Sequence, residues 1–150
     1  MKTRKQRRRT APFTLIEVVV VIVILVTLAG IATPLYMKNI EKANIGAAKT
    51  QLGLIEEALD QYNIDVGSYP TDLQGLIQNI DESERWHGPY FKKAAIPKDP
   101  WGRDYLYVCP GEHNPNTYDI WSYGKDNQEG GEGENADIVN WATEEETYSY

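Results

Sequence analysis

From Val18 to Met37 the chain runs for twenty residues without a charged side chain. That is about the length an α-helix needs to cross the hydrocarbon core of a bilayer. One acid, Glu17, stands at the mouth of this run. Before it lies a basic stretch, Met1 to Pro12, holding Lys2, Arg4, Lys5, Arg7, Arg8 and Arg9 and no acid. A carboxylate at the edge of an apolar span is costly, so it calls for a partner or a function. Two simpler readings stand beside that one. A secretory signal peptide also begins basic and turns apolar, but its apolar core is shorter, roughly 7–15 residues. Small residues at Leu28-Ala29-Gly30-Ile31-Ala32 offer it a cleavage site, although Ile31 stands where a lipidated cysteine would be needed. A plain anchor, in turn, would leave Glu17 to snorkel to the interface.

Past the span the pattern changes to that of an amphipathic helix. No proline falls between Lys38 and Asn63, and Ala48, Leu52, Ile55, Leu59 and Tyr62 recur at steps of four and three. Those positions share one helical face, opposite Lys49, Glu56, Glu57 and Asp60. Gly67 and Pro70 predict the end of this helix. Thr71 to Ile80 predicts a short second helix, capped by Thr71 or Asp72, with Leu73, Leu76, Ile77 and Ile80 on one side. A loop is expected from Asp81 to Pro89. Three short apolar patches follow: Tyr90-Phe91, Tyr105 to Val108, and Tyr118 to Ser122. The last two have strand composition, and Pro110-Gly111 and Asn114-Pro115-Asn116 between them are turn signals. The fold class is therefore α+β, with a β-hairpin or three-stranded meander packed on one long helix.

Charge and cysteine content narrow the setting. The chain has a net charge of −7, but six of its 15 Lys and Arg lie in the first twelve residues, leaving −13 on residues 13–150. A basic flank before the span and an acidic body after it predict a cytoplasmic N-terminus and an exported body. The acidity argues against nucleic-acid binding. With 150 residues there is room for one modest core behind the anchor. The single Cys109 cannot form an intramolecular disulfide and reads as a small buried residue near a strand end. No phosphate loop, zinc spacing or nucleophile elbow is present, and His87 and His113 sit in separate turn-rich stretches. Catalysis is not expected.

Phe13-Thr14-Leu15-Ile16-Glu17, followed by a valine- and isoleucine-rich stretch, resembles the class III signal of type IV pilin-like proteins. The resemblance implies that a prepilin peptidase cuts between Pro12 and Phe13 and that Phe13 becomes a methylated N-terminus. It also implies that Glu17 helps assemble subunits into a filament. A buried carboxylate is tolerable where it meets the cationic N-terminus of a neighbouring subunit. Pro34 matches a proline of the family helix and marks a weak point, because proline removes a backbone hydrogen bond there. Pro12 departs from the glycine that the family places before the cut. The expectation is a peptidase that accepts it.

The one candidate for site chemistry is an acidic loop between Lys125 and Trp141. It carries Asp126, Glu129, Glu132, Glu134 and Asp137, with Asn127 and Asn135, interleaved with Gly130, Gly131 and Gly133. Oxygen ligands on a glycine-permissive backbone suit Ca²⁺, which accepts roughly 6–8 oxygens in flexible geometry. An EF-hand register from Asp126 puts Gly131 and Asp137 at suitable places but Gln128 and Gly130 at unsuitable ones, so that motif is not expected. By spacing alone, a solvated acidic loop and a Ca²⁺ site remain level.

The second half sharpens the likeness. Tyr69-Pro70-Thr71 with Gln74-Gly75-Leu76, Pro97 to Gly102, Asp119 to Gly124, and Asp137 to Trp141 look like the major pseudopilins of type II secretion systems, in family order. The N-terminal motif is shared by many pilins, whereas Asp99-Pro100-Trp101-Gly102 together with the acidic loop is far more selective. The resemblance implies one Ca²⁺ bound by the Tyr123 carbonyl and the Asp126 carboxylate, with Gln128, Asn135 and Asp137 as the further candidates. Asn135 stands where the family commonly has Asp, which weakens the charge of the set. The implied organisation is a leader, 1–12; a membrane and assembly segment, 13–37; an amphipathic continuation, 38–64; a periplasmic head, 65–143, with its Ca²⁺ loop at 122–141; and a loose tail, 144–150. The implied partners are further copies of the chain, minor pseudopilins, the inner-membrane assembly platform and the prepilin peptidase. The alternatives are a type IV pilin or competence-type subunit, and a monomeric anchored Ca²⁺-binding module.

Overall fold

The computed structural model describes residues 13–91 and 95–141; the leader with Pro12, and the tail from 144, lie outside these described residues. One long helix, α1 (Leu15–Val66), is followed by a 3-10 turn (Leu73–Leu76) and three strands. The strands are β1 (Leu106–Val108), β2 (Asp119–Ser122) and β3 (Ile138–Val139), with a second 3-10 turn (Gly133–Asn135) between β2 and β3. The chain divides into two compact units between Asn39 and Ile40.

In the first unit α1 starts at a polar cap. Thr14 Oγ1 accepts the Glu17 backbone N–H at 3.4 Å, so Thr14 and Glu17 occupy the N-cap and N3 positions of a Thr-x-x-Glu box. An acid in the first turn also faces the positive end of the helix dipole. The two threonine hydroxyls within the apolar run are satisfied locally: Thr27 donates to the Val23 carbonyl and Thr33 to the Ala29 carbonyl, each at 2.8 Å. Pro34 lies inside the helix. Every residue from 13 to 39 is exposed.

In the second unit the later part of α1 buries Ala48, Leu52, Ile55, Leu59 and Tyr62, as the apolar spacing predicts, and Ala58 and Glu41 as well. These meet Leu73, Leu76, Tyr105, Tyr118, Ile120 and Ile138 in one core. Gly67 ends the helix in a left-handed conformation, φ 93°, which glycine adopts without penalty.

The helix expected over 71–80 contracts to Leu73–Leu76. Asp72 caps it, accepting the Gln74 N–H at 2.7 Å. It stops because the carbonyls needed for the next turn are already taken. Trp86 Nε1–H donates to the Gly75 carbonyl, and the Tyr90 N–H to that of Leu76, each at 2.8 Å. Ile80, expected on the inner side, is therefore exposed. Gly75 itself is required, since a Cβ there would meet the Pro70 ring at 2.8 Å.

The sheet is an antiparallel meander, β1-β2-β3. Leu106 pairs with Trp121, and Trp121 with Val139. Two strands fall where the composition predicts them. The third is Ile138–Val139 and not Tyr90-Phe91, which is irregular and packs against the core. Cys109 follows β1 half-buried, its Sγ 3.4 Å from the Thr117 carbonyl.

Tyrosines fasten the head. Tyr62 donates to Asp81 Oδ2 at 2.9 Å and Tyr107 to the Pro70 carbonyl at 2.8 Å. The Tyr105 hydroxyl lies 3.1 Å from the Ala48 carbonyl and 3.0 Å from Gln51 Oε1. Burial pushes the hydroxyls of Tyr62 and Tyr105 up from 10.0 to about 12, and those of Tyr107 and Tyr118 higher still. The folded state thus favours neutral phenols, a stabilisation complete below pH 10 and lost as pH rises towards 12. The detergent-solubilised chain should hold its fold to about pH 10, then lose its circular dichroism as phenolate absorbance appears. Full phenolate formation near pH 10 with the fold intact would contradict this.

Candidate functional site

The acidic loop joins β2 to β3, two adjacent strands, and the backbone closes it by unusually near approaches. A Cβ on Gly124 would lie 2.7 Å from the Ala136 carbonyl oxygen, and one on Gly131 would lie 2.5 Å from that of Asn135. Both glycines have positive φ, 61° and 92°, so no other residue type fits without displacement. These contacts bring the segment around Tyr123–Asp126 against the segment Asn135–Asp137.

Within the loop the two aspartates do different work. Asp126 Oδ1 accepts the Gln128 N–H at 3.1 Å, turning the chain. Asp137 reaches back across the loop: its Oδ2 accepts the Gly130 N–H at 2.9 Å. Its Oδ1 is buried with no hydrogen-bond partner among the described residues. Burial raises the Asp137 carboxyl above the usual 3.8, opposed by the Gly130 hydrogen bond and reinforced by repulsion from Asp126 and Glu129. Tyr123 and Asp126 are half-buried, whereas Gln128 and Asn135 are exposed. Among the described residues no group of three or more His, Cys, Asp or Glu side chains is arranged to hold a metal ion. Asp126 and Glu129 are the carboxylates whose charge is felt at Asp137.

Several residues that frame this loop lie outside the candidate ligand set. Asp99, in the Pro97–Gly102 segment, is buried and accepts the Ser122 hydroxyl at 2.6 Å. Ser122 Oγ in turn accepts the Gly124 N–H at 3.2 Å. Lys125 pairs with Glu41 of α1 at 3.2 Å. On the other side of β2, Asp119 is buried and gathers the N–H groups of His113 and Asn114 at 2.8 and 3.0 Å. The His113 ring stacks on Trp141 with centroids 4.0 Å apart. This ties the middle of the turn-rich stretch 109–118 to the start of β2 and gives His113 a structural post.

The other candidate site, Phe13 to Met37, lies wholly at the surface. Glu17 and Pro34 are exposed there. A helix this apolar, headed by a Phe-Thr-Leu-Ile-Glu motif and followed by a small α+β head, defines the pilin-like class of proteins.

Comparison with known proteins narrows the class. The prokaryotic N-terminal methylation motif matches residues 8–33, and the family described as type II secretion system (T2SS), protein G matches residues 35–141. A type II secretion system core protein G of Vibrio cholerae is 44% identical over 143 residues, covering 91% of this chain and 95% of that protein. Those of Pseudomonas aeruginosa and Escherichia coli K12 are 40% and 42% identical, over 91% and 93% of this chain and 98% and 93% of theirs. The crystal structure of the major pseudopilin from the type 2 secretion system of enterohaemorrhagic Escherichia coli superposes with a TM-score of 0.55 and 31% identity. It covers 70% of this chain and 92% of its own. The chain belongs to the type II secretion system protein G family. The alternative of a type IV pilin or competence-type subunit gives way to this assignment.

Proposed function

We infer that the chain is a structural subunit that polymerises into the pseudopilus of a type II secretion system. The observation that carries this reading is the uncovered apolar helix of residues 13–39, in a chain of the protein G family. In this reading the precursor sits in the inner membrane with its N-terminus cytoplasmic and its head periplasmic. The prepilin peptidase cuts between Pro12 and Phe13, and Phe13 is methylated. The helices then leave lipid and pack together, with the heads outside. Minor pseudopilins and the inner-membrane platform are the further partners.

Magnitudes favour this order of events. Residues 13–37 expose seventeen large apolar side chains, from Phe13 to Met37. Burying each is worth about 1.5–3 kcal/mol, so tens of kcal/mol hold this segment away from water. A charge within lipid costs about 2.5–3.5 kcal/mol by insertion scales. Glu17 therefore cannot keep the helix out of a membrane; it can only select which neighbour the helix prefers. The amine of a neighbouring Phe13 supplies a matching charge.

Calcium is the proposed ligand of the head. The donors suit a hard cation: Asp137 feels the like charge of Asp126, and its buried Oδ1 has no hydrogen-bond partner among the described residues. Asp126, Asp137 and the Tyr123 carbonyl would hold the ion, with Asn135 and Gln128 at the exposed rim. Bound there, Ca²⁺ would offset the repulsion between the carboxylates and tie the loop shut.

Two experiments test the reading. Glu17→Ala leaves a neighbour's ammonium buried without its counter-charge, a loss of about 3–5 kcal/mol per contact. Electron micrographs of cells carrying the assembly machinery should then show no filaments, although the protein still reaches the membrane. Abundant filaments would contradict a role for Glu17. For the metal, saturating Ca²⁺ should raise the melting temperature of the head by several degrees over the chelated protein, since about 1 kcal/mol moves a small domain by about 4–8 °C. Identical melts with Ca²⁺ and with chelator would remove the cation from the account.

A further inference from the structure

The first residues of the acidic loop are gripped from two directions by charged side chains that are not themselves candidate ligands. Asp99 is the root of one grip. Its Oδ1 accepts the N–H groups of Trp101 and Arg103 at 3.1 and 2.8 Å. Its Oδ2 accepts the Ser122 hydroxyl at 2.6 Å and lies 3.6 Å from Arg103 Nε. The Arg103 guanidinium, set beside the Trp101 ring at 5.9 Å, then donates through Nη2 to the carbonyl of Gly124 and, at 3.4 Å, to that of Lys125. The other grip comes from α1. Glu41, only 7% exposed although charged, pairs its Oε1 with Lys125 Nζ at 3.2 Å.

We propose that Arg103, held by Asp99, is a positioning residue for the cation loop, and that Glu41 plays the same part through Lys125. The inference rests on the Ca²⁺ reading of the loop and deepens it. Arg103 turns the Gly124 and Lys125 carbonyls towards itself. This leaves the preceding Tyr123 carbonyl and the following Asp126 carboxylate as the donors this stretch offers to a cation. Guanidinium is suited to the task because its donors are spread over a rigid planar fork, whereas an ammonium offers them from a single nitrogen. Each positive charge beside the loop also has a buried carboxylate of its own, Asp99 for Arg103 and Glu41 for Lys125. Neither is then left to repel an incoming Ca²⁺.

Positioning and plain electrostatics predict opposite signs, which makes the idea testable. Removing a positive charge beside a cation site should tighten Ca²⁺ binding if charge were all that mattered. If Arg103 positions the loop, Arg103→Gln should weaken binding by about 10–100-fold, the usual cost of losing an outer support of a metal site. Arg103→Lys, which keeps the charge and loses the fork, should weaken it too. Calorimetric Ca²⁺ titration of the full chain in detergent micelles reads the affinity. Amide hydrogen exchange over residues 124–128 in the presence of chelator reads the grip without metal. It should quicken in both variants, while exchange in the Leu52–Tyr62 part of α1 stays unchanged. Affinity equal to or tighter than that of the unaltered chain, with exchange unchanged, overturns the proposal. An unaltered chain that takes up no Ca²⁺ overturns the metal reading instead, and the exchange result still decides whether Arg103 holds the loop.

Discussion

Residues 13–39 form a helical segment of almost unbroken apolarity that nothing else in the described chain covers. Water is the one environment in which it cannot stay, because the seventeen large apolar side chains there represent tens of kcal/mol of unfavourable hydration. Lipid and other copies of the same helix are the two covers consistent with its composition. Between these, lipid is indifferent to sequence, whereas a copy can answer the one charge at the helix mouth. Glu17 stands at the third helical position, where its backbone N–H is capped by the Thr14 hydroxyl. The motif that reads as an assembly signal is thus also a helix start.

The head obeys a different economy. Its core is small, and polar side chains do much of the joining. Tyrosine hydroxyls connect the later part of α1, the 65–90 stretch and the sheet, through Asp65, Asp81, the Pro70 carbonyl and the Ala48 carbonyl. No disulfide contributes, since Cys109 is the single cysteine. Asp99 and Asp119 are buried carboxylates that organise irregular chain, one bonded to each end of β2. Hydrogen bonds from His113, Asn114 and Glu112 outweigh burial and hold the Asp119 carboxyl below its usual 3.8. A short sheet can carry a long loop only if such hubs fix its ends.

Much of this was legible in the residues. The span, the helix face from Ala48 to Tyr62 and the strands around Tyr107 and Ile120 follow from period and composition, because long patterned segments commit many positions at once. The two-residue β3 carries no such pattern; Ile138-Val139 reads as part of a loop until β2 is there to pair with it. The 71–80 segment has helical spacing, yet distant Trp86 and Tyr90 take the carbonyls on which its next turn depends. In the acidic loop the glycines and acids were visible, but which chain segments lie against each other was not. That depends on Gly124 and Gly131 lying against Ala136 and Asn135. Glu41 is the plainest case. It sits between Ile40 and Lys42 like any surface acid, yet the fold buries it and pairs it with Lys125, 84 positions later.

In a filament, copies of this helix would replace lipid as its cover. A photo-reactive side chain at Leu25, deep in the apolar run, reports its neighbour directly when irradiated in cells that carry the complete secretion machinery. The account predicts a ladder of adducts at multiples of the chain mass, each joined through residues of the 13–39 segment of another copy. Adducts with lipid alone, unchanged whether or not the machinery is present, would contradict it.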